Sequence, residues 1–246
     1  MSTYLVPTIV VVCIVAAIAY GYWWNAFGDG KRIREQEGRD ADDRAKRLRA
    51  RGWVYEAIET GDIKYRVRGV TEGGVAWELH YDTDHSSSSS NAELIFRAPT
   101  LARGTRVWHI DDRPSFEMAR GRVVKTIISR LGNLVGQFSD QLKAKTAFFE
   151  SAREIPAGGS AFRKRYVVVA AEDRWAGLIN FETERMILNW PTYKSSMSRP
   201  DNAFSAGLEP DGLRIKLFVD APSLAVIEHV IRLGQALTEK STDLLR

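Results

Sequence analysis

Hydrophobic and polar positions follow three different patterns along the chain. Residues 4–24 are a continuous apolar run without a charged side chain. Residues 31–51 are almost wholly polar, and short alternating and helical patterns follow them. The pattern therefore predicts three parts, which are a transmembrane anchor (1–30), a charged juxtamembrane stalk (31–51) and a folded domain (52–246).

The apolar run is long enough to cross a bilayer as a helix. Its 21 residues, from Tyr4 to Trp24, would span about 30 Å at a rise of about 1.5 Å per residue. Aromatic side chains that prefer the headgroup region stand at both of its ends. We expect these aromatic residues to fix the anchor in the membrane: Tyr4, Tyr20, Tyr22, Trp23 and Trp24.

Basic side chains predict the orientation of the anchor. None precedes the helix, whereas nine Lys and Arg residues lie in residues 31–51. The positive-inside rule then puts the N-terminus outside and the domain in the cytoplasm, at the inner (plasma) membrane. Lys31, Arg32 and Arg34 would lie against lipid headgroups. A cleaved signal peptide is the rival interpretation, because Ala17-Ile18-Ala19 fits a cleavage site, but such peptides carry a basic start that this chain lacks.

The stalk has opposite charges at helical spacing, as in Asp43 and Arg47. Such pairs favour a solvated helix, which Gly52 would end.

From residue 53 to 111 the apolar positions alternate, which predicts strands. The segments are Trp53–Ile58, Lys64–Val70, Val75–Tyr81, Leu94–Phe96 and Arg106–Ile110. An apolar stripe at spacings of three and four predicts a helix within residues 115–150. The second half is predicted to contain a strand at Tyr166–Ala171, a short helix at Asp173–Phe181, a strand at Arg185–Trp190 and a hairpin at Ala203–Val219. A final helix is predicted to run from Pro222 or Ser223 to about Leu244.

This order of elements predicts an α+β fold with a mainly antiparallel sheet and packed helices. Two lobes, 52–154 and 155–246, are an alternative to a single domain. The domain has nearly equal numbers of basic and acidic side chains. A nucleic-acid-binding domain would be expected to carry a basic excess, so no nucleic-acid partner is expected.

Several segments of the chain come in a recognisable order: Tyr65-x-Val67-x-Gly69, Gly73–Tyr81, the serine-rich tip, Leu94–Phe96, Phe162–Asp173, Ala176 and Ile187–Pro191. This order resembles bacterial single-pass inner-membrane proteins of unknown function. The resemblance implies one N-terminal helix and no assigned activity.

His80, Asp82 and Asp84 would point to one face of an extended strand, and their side-chain types suit zinc or manganese. They are candidate metal ligands, although polar side chains are also common where a strand ends in a loop. The loop itself contains Ser86–Ser90, which are either a regulatory phosphorylation site or a flexible linker.

The other candidates have ordinary structural explanations. Asp111-Asp112 and Glu172-Asp173 could act as acids and bases, but acids also cap helices, and Asp173 is placed as an N-cap. Ala157–Ser160 lacks the lysine and the spacing of a phosphate-binding loop. Arg163–Arg165 could contact lipid headgroups or stay solvated. The domain's tryptophans are expected in the core.

No sequence signature of an enzyme active site or of a cofactor is present. The sequence therefore favours a membrane-anchored accessory or scaffold protein whose domain binds a protein partner or the lipid surface. The alternative is a membrane-tethered enzyme with an unrecognised, metal-dependent site at His80, Asp82 and Asp84.

Overall fold

The computed structural model divides the chain into two units between Gly52 and Trp53. The residues that it describes are 41–58, 62–84, 91–101, 106–120, 148, 152–191 and 204–246. The predicted anchor and the serine run Ser86–Ser90 lie outside these residues. Within them, no helix has both the length and the apolar character needed to span a membrane.

In the first unit, helix α1 occupies residues 41–50. Gly52 follows it at φ +80°, and its N–H donates to the Arg49 carbonyl at 2.9 Å. This is the left-handed backbone that a glycine after a helix adopts without steric cost. The predicted helix end at Gly52 is confirmed.

The second unit is built on one nine-stranded sheet. Every neighbouring pair of strands is antiparallel, and the spatial order is β1-β2-β3-β4-β9-β8-β5-β7-β6. The α+β fold with an antiparallel sheet is thereby confirmed. The strands are β1 (Val54–Ala57), β2 (Ile63–Val70), β3 (Ala76–Asp84), β4 (Asn91–Ala98), β5 (Trp108–Asp112), β6 (Arg153–Ile155), β7 (Tyr166–Ala170), β8 (Phe204–Glu209) and β9 (Gly212–Phe218).

Strands from both halves of the chain share this sheet. β4 pairs with β9, from Glu93 opposite Phe218 to Ala98 opposite Leu213. β5, from the first half, lies between β8 and β7. The boundary near residue 155 that the sequence left open therefore runs through one sheet and one unit.

Helices and short 3-10 segments connect or cover the strands. The helices are α2 (Arg113–Arg120), α3 (Ser160–Arg165), α4 (Phe181–Leu188) and α5 (Leu224–Leu245), with 3-10 turns at Pro99–Leu101 and Asp173–Leu178.

One face of the sheet is apolar and forms the core. Alternate residues along β3 and β4 point to this face, so that Leu79 lies opposite Phe96 and Tyr81 opposite Leu94, all buried. α5 lies on this face, with Ser223 as its N-cap and with Ile227 and Ile231 buried. The alternation that predicted the strands therefore reflects one apolar face, although Ile95 and His80 on the opposite face are also buried.

The strand predicted at Arg185–Trp190 is wrong, because this segment belongs mainly to helix α4. A capping box begins the helix, in which Asn180 accepts a hydrogen bond from the Thr183 N–H and Thr183 accepts one from the Asn180 N–H. These two bonds satisfy backbone groups that a helix start leaves open. The short apolar run Met186–Leu188 fits the period of a strand as well as that of a helix. The capping box favours the helix.

Gly234 on α5 lies against the ring of Phe96 on β4. A Cβ atom built on Gly234 would lie 2.6 Å from three atoms of the Phe96 ring. A side chain at this helix position would therefore push α5 away from β4.

We expect Gly234→Ala to lower the free energy of unfolding by about 1–3 kcal/mol, the usual cost of overpacking a core. At an unhindered helix position the same change would instead stabilise by up to about 1 kcal/mol. Urea unfolding followed by tryptophan fluorescence measures the difference. Gly73→Ala is the control, since its Cβ would meet only Thr71 Oγ1 at 3.7 Å. A stabilised Gly234→Ala protein would contradict the packing described here.

Candidate functional site

The second face of the sheet carries charged side chains. Strand register places these residues side by side on β2, β3, β4, β9, β8 and β5. We call this surface the polar face; its members are Arg66, Arg68, Glu78, His80, Asp82, Glu93, Arg97, Arg214, Lys216, Glu209, His109 and Asp111.

Arg97 on β4 lies directly opposite Arg214 on β9. Directly opposed residues of an antiparallel pair have Cα atoms about 4.5–5.5 Å apart. Like charges at such a position destabilise a sheet. Two arginines at the centre of a sheet therefore need a compensating negative charge.

The acids nearest to the two arginines are engaged elsewhere. Glu78 is opposite Arg97, but its carboxylate turns to β2 and lies 3.7 Å from Arg66 and 3.8 Å from Arg68. Arg97 makes no ion pair in the part of the chain that the structure describes. Arg214 has only a long contact, 3.9 Å from Nη1 to Glu209 Oε2. Glu209 is already paired with Arg106 at 2.7 Å.

Hydrogen-bonding capacity is also unused around these arginines. The Nε atoms of Arg66, Arg97 and Arg214 are buried and have no hydrogen-bond partner among the described residues. A buried donor without a partner costs about 1–3 kcal/mol. The unused donors point to a ligand group with several acceptor oxygens.

His80 lies beside this cluster, opposite Arg66 and Ile95 in the strand register. Its side chain is buried at 6% exposure, and Nδ1 has no partner within the described residues. Burial first, and then the positive charge of Arg97, lower the pKa of His80 to about 4, with smaller effects from Arg214 and Arg66. His80 is therefore neutral at pH 7. We call Arg66, His80, Arg97 and Arg214 the arginine cluster.

A second group on the polar face forms a continuous chain of contacts. Arg106 Nη2 donates to Glu209 Oε1 at 2.7 Å, and Nη1 donates to His109 Nδ1 at 3.2 Å. Because an arginine can only donate, Nδ1 must accept, and the proton of neutral His109 is on Nε2. That N–H faces Asp111 Oδ2 at 3.4 Å.

Gly207 makes room for this chain. It lies opposite His109, and a Cβ at this position would be 2.9 Å from His109 Nδ1. Any larger residue would therefore displace the ring from Arg106. The sequence offered no signal for this arrangement, because Glu209 lies 103 residues from Arg106 along the chain.

The polar face ends at an apolar cluster beyond β5. Phe116 on α2 and Phe148 pack with Val167 and Val169 on β7. Asp112 begins α2 by accepting a hydrogen bond from the Ser115 N–H at 2.9 Å. Capping is therefore the observed role of this acid, as expected for acids in front of a helix.

The candidate metal ligands are only partly described. His80 and Asp82 lie on the polar face, whereas the side chain of Asp84 lies outside the described residues. Among the side chains that are described, no group of three or more His, Cys, Asp or Glu could hold a metal ion. The metal site at these three residues stays a prediction.

Asp173 is not the N-cap that the sequence suggested. Glu172 occupies the cap position without a side-chain bond, and Asp173 pairs with Arg153 at 2.8 Å. The N–H of Gly159 donates to Glu184 Oε2, an arrangement that would repel a phosphate. Arg163–Arg165 form the last turn of α3 and are exposed. Trp77, Trp108 and Trp175 are core residues, as predicted.

Comparison of the chain with protein-family models, with curated proteins and with solved structures gives no match. The chemistry of the polar face is therefore the basis for a functional proposal.

The low pKa of His80 predicts a loss of stability in acid. The folded protein keeps His80 neutral, whereas the unfolded chain protonates it near the ordinary pKa of 6.5. Stability from this residue is thus present above pH 6.5 and is lost as the pH falls towards about 4. A shift from 6.5 to about 4 corresponds to at most about 3 kcal/mol.

Urea unfolding of the wild-type and His80→Gln proteins between these two pH values measures the effect, because other titrating groups cancel in the difference. The difference in unfolding free energy should shrink or reverse as the pH falls. If the unfolding free energies of the two proteins changed equally with pH, His80 would not be held neutral in the folded protein.

Burial of the Arg106–Glu209 pair predicts a larger mutational effect than for an exposed pair of similar length. The side chains of Arg106 and Glu209 are 11% and 20% exposed, against 64% and 70% for Arg153 and Asp173. We expect Glu209→Gln to cost about 1–3 kcal/mol, because Arg106 is left without a counter-charge. Asp173→Asn should stay within about 0.5 kcal/mol. Thermal unfolding compares the two variants, and equal effects would contradict this difference.

Proposed function

We propose that this protein is a membrane-tethered accessory or scaffold protein whose domain binds an acidic protein partner through the polar face. The observation that carries the proposal is Arg97 opposite Arg214 at the centre of the sheet, with no acid in the described residues that compensates Arg97. A negatively charged partner would supply the missing charge.

The tether in this proposal is the apolar segment of residues 4–24. It rests on the length of that segment, on its aromatic ends and on the nine basic side chains that follow it in residues 31–51. The N-terminus would then lie outside the inner membrane and the domain in the cytoplasm. Such a tether confines binding to partners at or near the membrane.

Binding of a protein suits the mixed charges of the polar face. Arg68 with Glu56, and Lys216 with Glu93, are ion pairs that flank the arginine cluster. Complementary charges at an interface mainly speed association and select the correct partner. The flanking pairs would define a polar rim, and the arginine cluster would receive the acidic group.

An enzyme that uses a metal at His80, Asp82 and Asp84 is the second proposal, and the geometry supports it less. Arg66, Arg97 and Arg214 all lower the pKa of His80 through their charge. The positive charge of these three arginines would also oppose the binding of a divalent cation to the imidazole. Metal analysis of the purified full-length protein separates the proposals: stoichiometric zinc or manganese that is lost in His80→Ala would favour the enzyme.

The binding proposal predicts a partner that requires the two opposed arginines. Full-length protein is cross-linked in membranes, solubilised in detergent and captured, and its partners are identified by mass spectrometry. The variant Arg97→Gln/Arg214→Gln should lose at least about 90% of the specific partner, because removing charges that meet a complementary surface commonly costs more than about 1.4 kcal/mol.

The matched control is Arg174→Gln/Arg232→Gln, which removes the same charge from exposed positions. It should capture the partner as wild type does. Equal loss in both variants, or capture that is insensitive to both, would refute binding through the arginine cluster. If lipid but no protein were enriched, the lipid surface would replace a protein as the proposed binding partner.

A further inference from the structure

The arginine cluster can be assigned a ligand chemistry. Arg66 contacts the carboxylate of Glu78, and Arg106 and Arg214 contact that of Glu209. Arg97 lies among these groups and makes no ion pair within the described residues. Glu78 is further shared with Arg68. The cluster therefore has an excess of positive charge at its centre, between β4 and β9.

The shape of the donors favours a tetrahedral dianion over a carboxylate. A single guanidinium fork already matches both oxygens of a carboxylate, whereas a phosphoryl group can accept from two forks at once. Arg97 and Arg214 are directly opposed, so both side chains start from the same point of the sheet. Each retains a buried Nε without a partner in the described part of the chain.

His80 adds a donor of a different kind. It is nine-tenths buried, and its Nδ1 is unpartnered among the described residues. A neutral imidazole has one N–H donor and one acceptor, and the acceptor nitrogen would repel an unprotonated oxygen. A hydrogen bond from Nδ1–H to the ligand would thus fix the tautomer of His80.

We propose that Arg97, Arg214 and His80 form a binding site for a phosphoryl group, either as free phosphate or carried on the partner. The inference rests on the proposed role of the arginine cluster as a binding surface and names the group that binds there. Arg66 closes the site on the β2 side, where it is held by Glu78 at 3.7 Å.

Titration calorimetry with full-length protein in detergent tests the proposal with inorganic phosphate, sulfate and acetate at matched ionic strength. Phosphate and sulfate should bind, and acetate should bind at least about tenfold more weakly. Arg97→Gln or Arg214→Gln should weaken phosphate binding about tenfold or more, as expected for losing charge-assisted hydrogen bonds. Arg174→Gln, at an exposed position outside the polar face, should change it less than about twofold.

Two further measurements guard against a purely structural effect. Arg97→Lys keeps the charge and should restore binding only in part, because it lacks the fork. The ring protons of His80 should shift saturably in NMR spectra as sulfate is added, while those of His229, on α5, should not. Equal binding of acetate and phosphate, or unchanged binding in Arg97→Gln, would overturn the proposal.

The two sources of the group are separated with a phosphoserine peptide and the same peptide containing glutamate. Tighter binding of the phosphopeptide than of inorganic phosphate assigns the site to a phosphorylated partner, and binding of phosphate alone assigns it to the free ion. If partner capture needs Arg97 and Arg214 but no phosphoryl probe binds, the ligand assignment fails while the proposed function stands. If probes bind but capture ignores both arginines, the proposed function fails.

Discussion

The pairing of β4 with β9 is the interaction on which the domain depends. It joins Glu93–Ala98 to Leu213–Phe218, segments more than a hundred residues apart, and so makes one sheet from the two halves of the chain. The same pairing sorts side chains by alternation. Leu94 and Phe96 enter the core against α5, whereas Arg97 is held against Arg214 on the polar face.

The two faces of the sheet at this pairing affect the stability of the domain in opposite ways. On the apolar face, burial of Phe96 against Gly234 leaves no room for a side chain and fixes the position of α5. On the polar face, opposed arginines and unused buried donors cost stability. Proteins retain such a cost at sites that bind, because a ligand can provide the missing hydrogen bonds. The strength of the core allows this cost to be tolerated.

Much of the fold was predictable from the sequence, and little of the site was. Alternation located β2 and β3, because one face of each strand is apolar. The start of α5 was expected at Pro222 or Ser223, and Ser223 is its N-cap. The run Met186–Leu188 led to the wrong prediction of a strand, because three consecutive apolar residues fit a strand and a helix equally well. Arg97 and Arg214 could not be related beforehand, since only the register between distant strands makes them neighbours. His80 was found by its residue type, but its surroundings of arginine were not.

The long separation between β4 and β9 also has a consequence during synthesis. A ribosome delivers β1 to β4 well before residues 213–218, so β4 has no partner on one side while most of the domain is still being made. An unpaired strand that presents Leu94 and Phe96 is a template for pairing with other chains. Non-local pairing of this kind also slows folding, because a long loop must close first. Charged neighbours such as Glu93 and Arg97 oppose such mispairing, so the polar face protects the nascent chain as well.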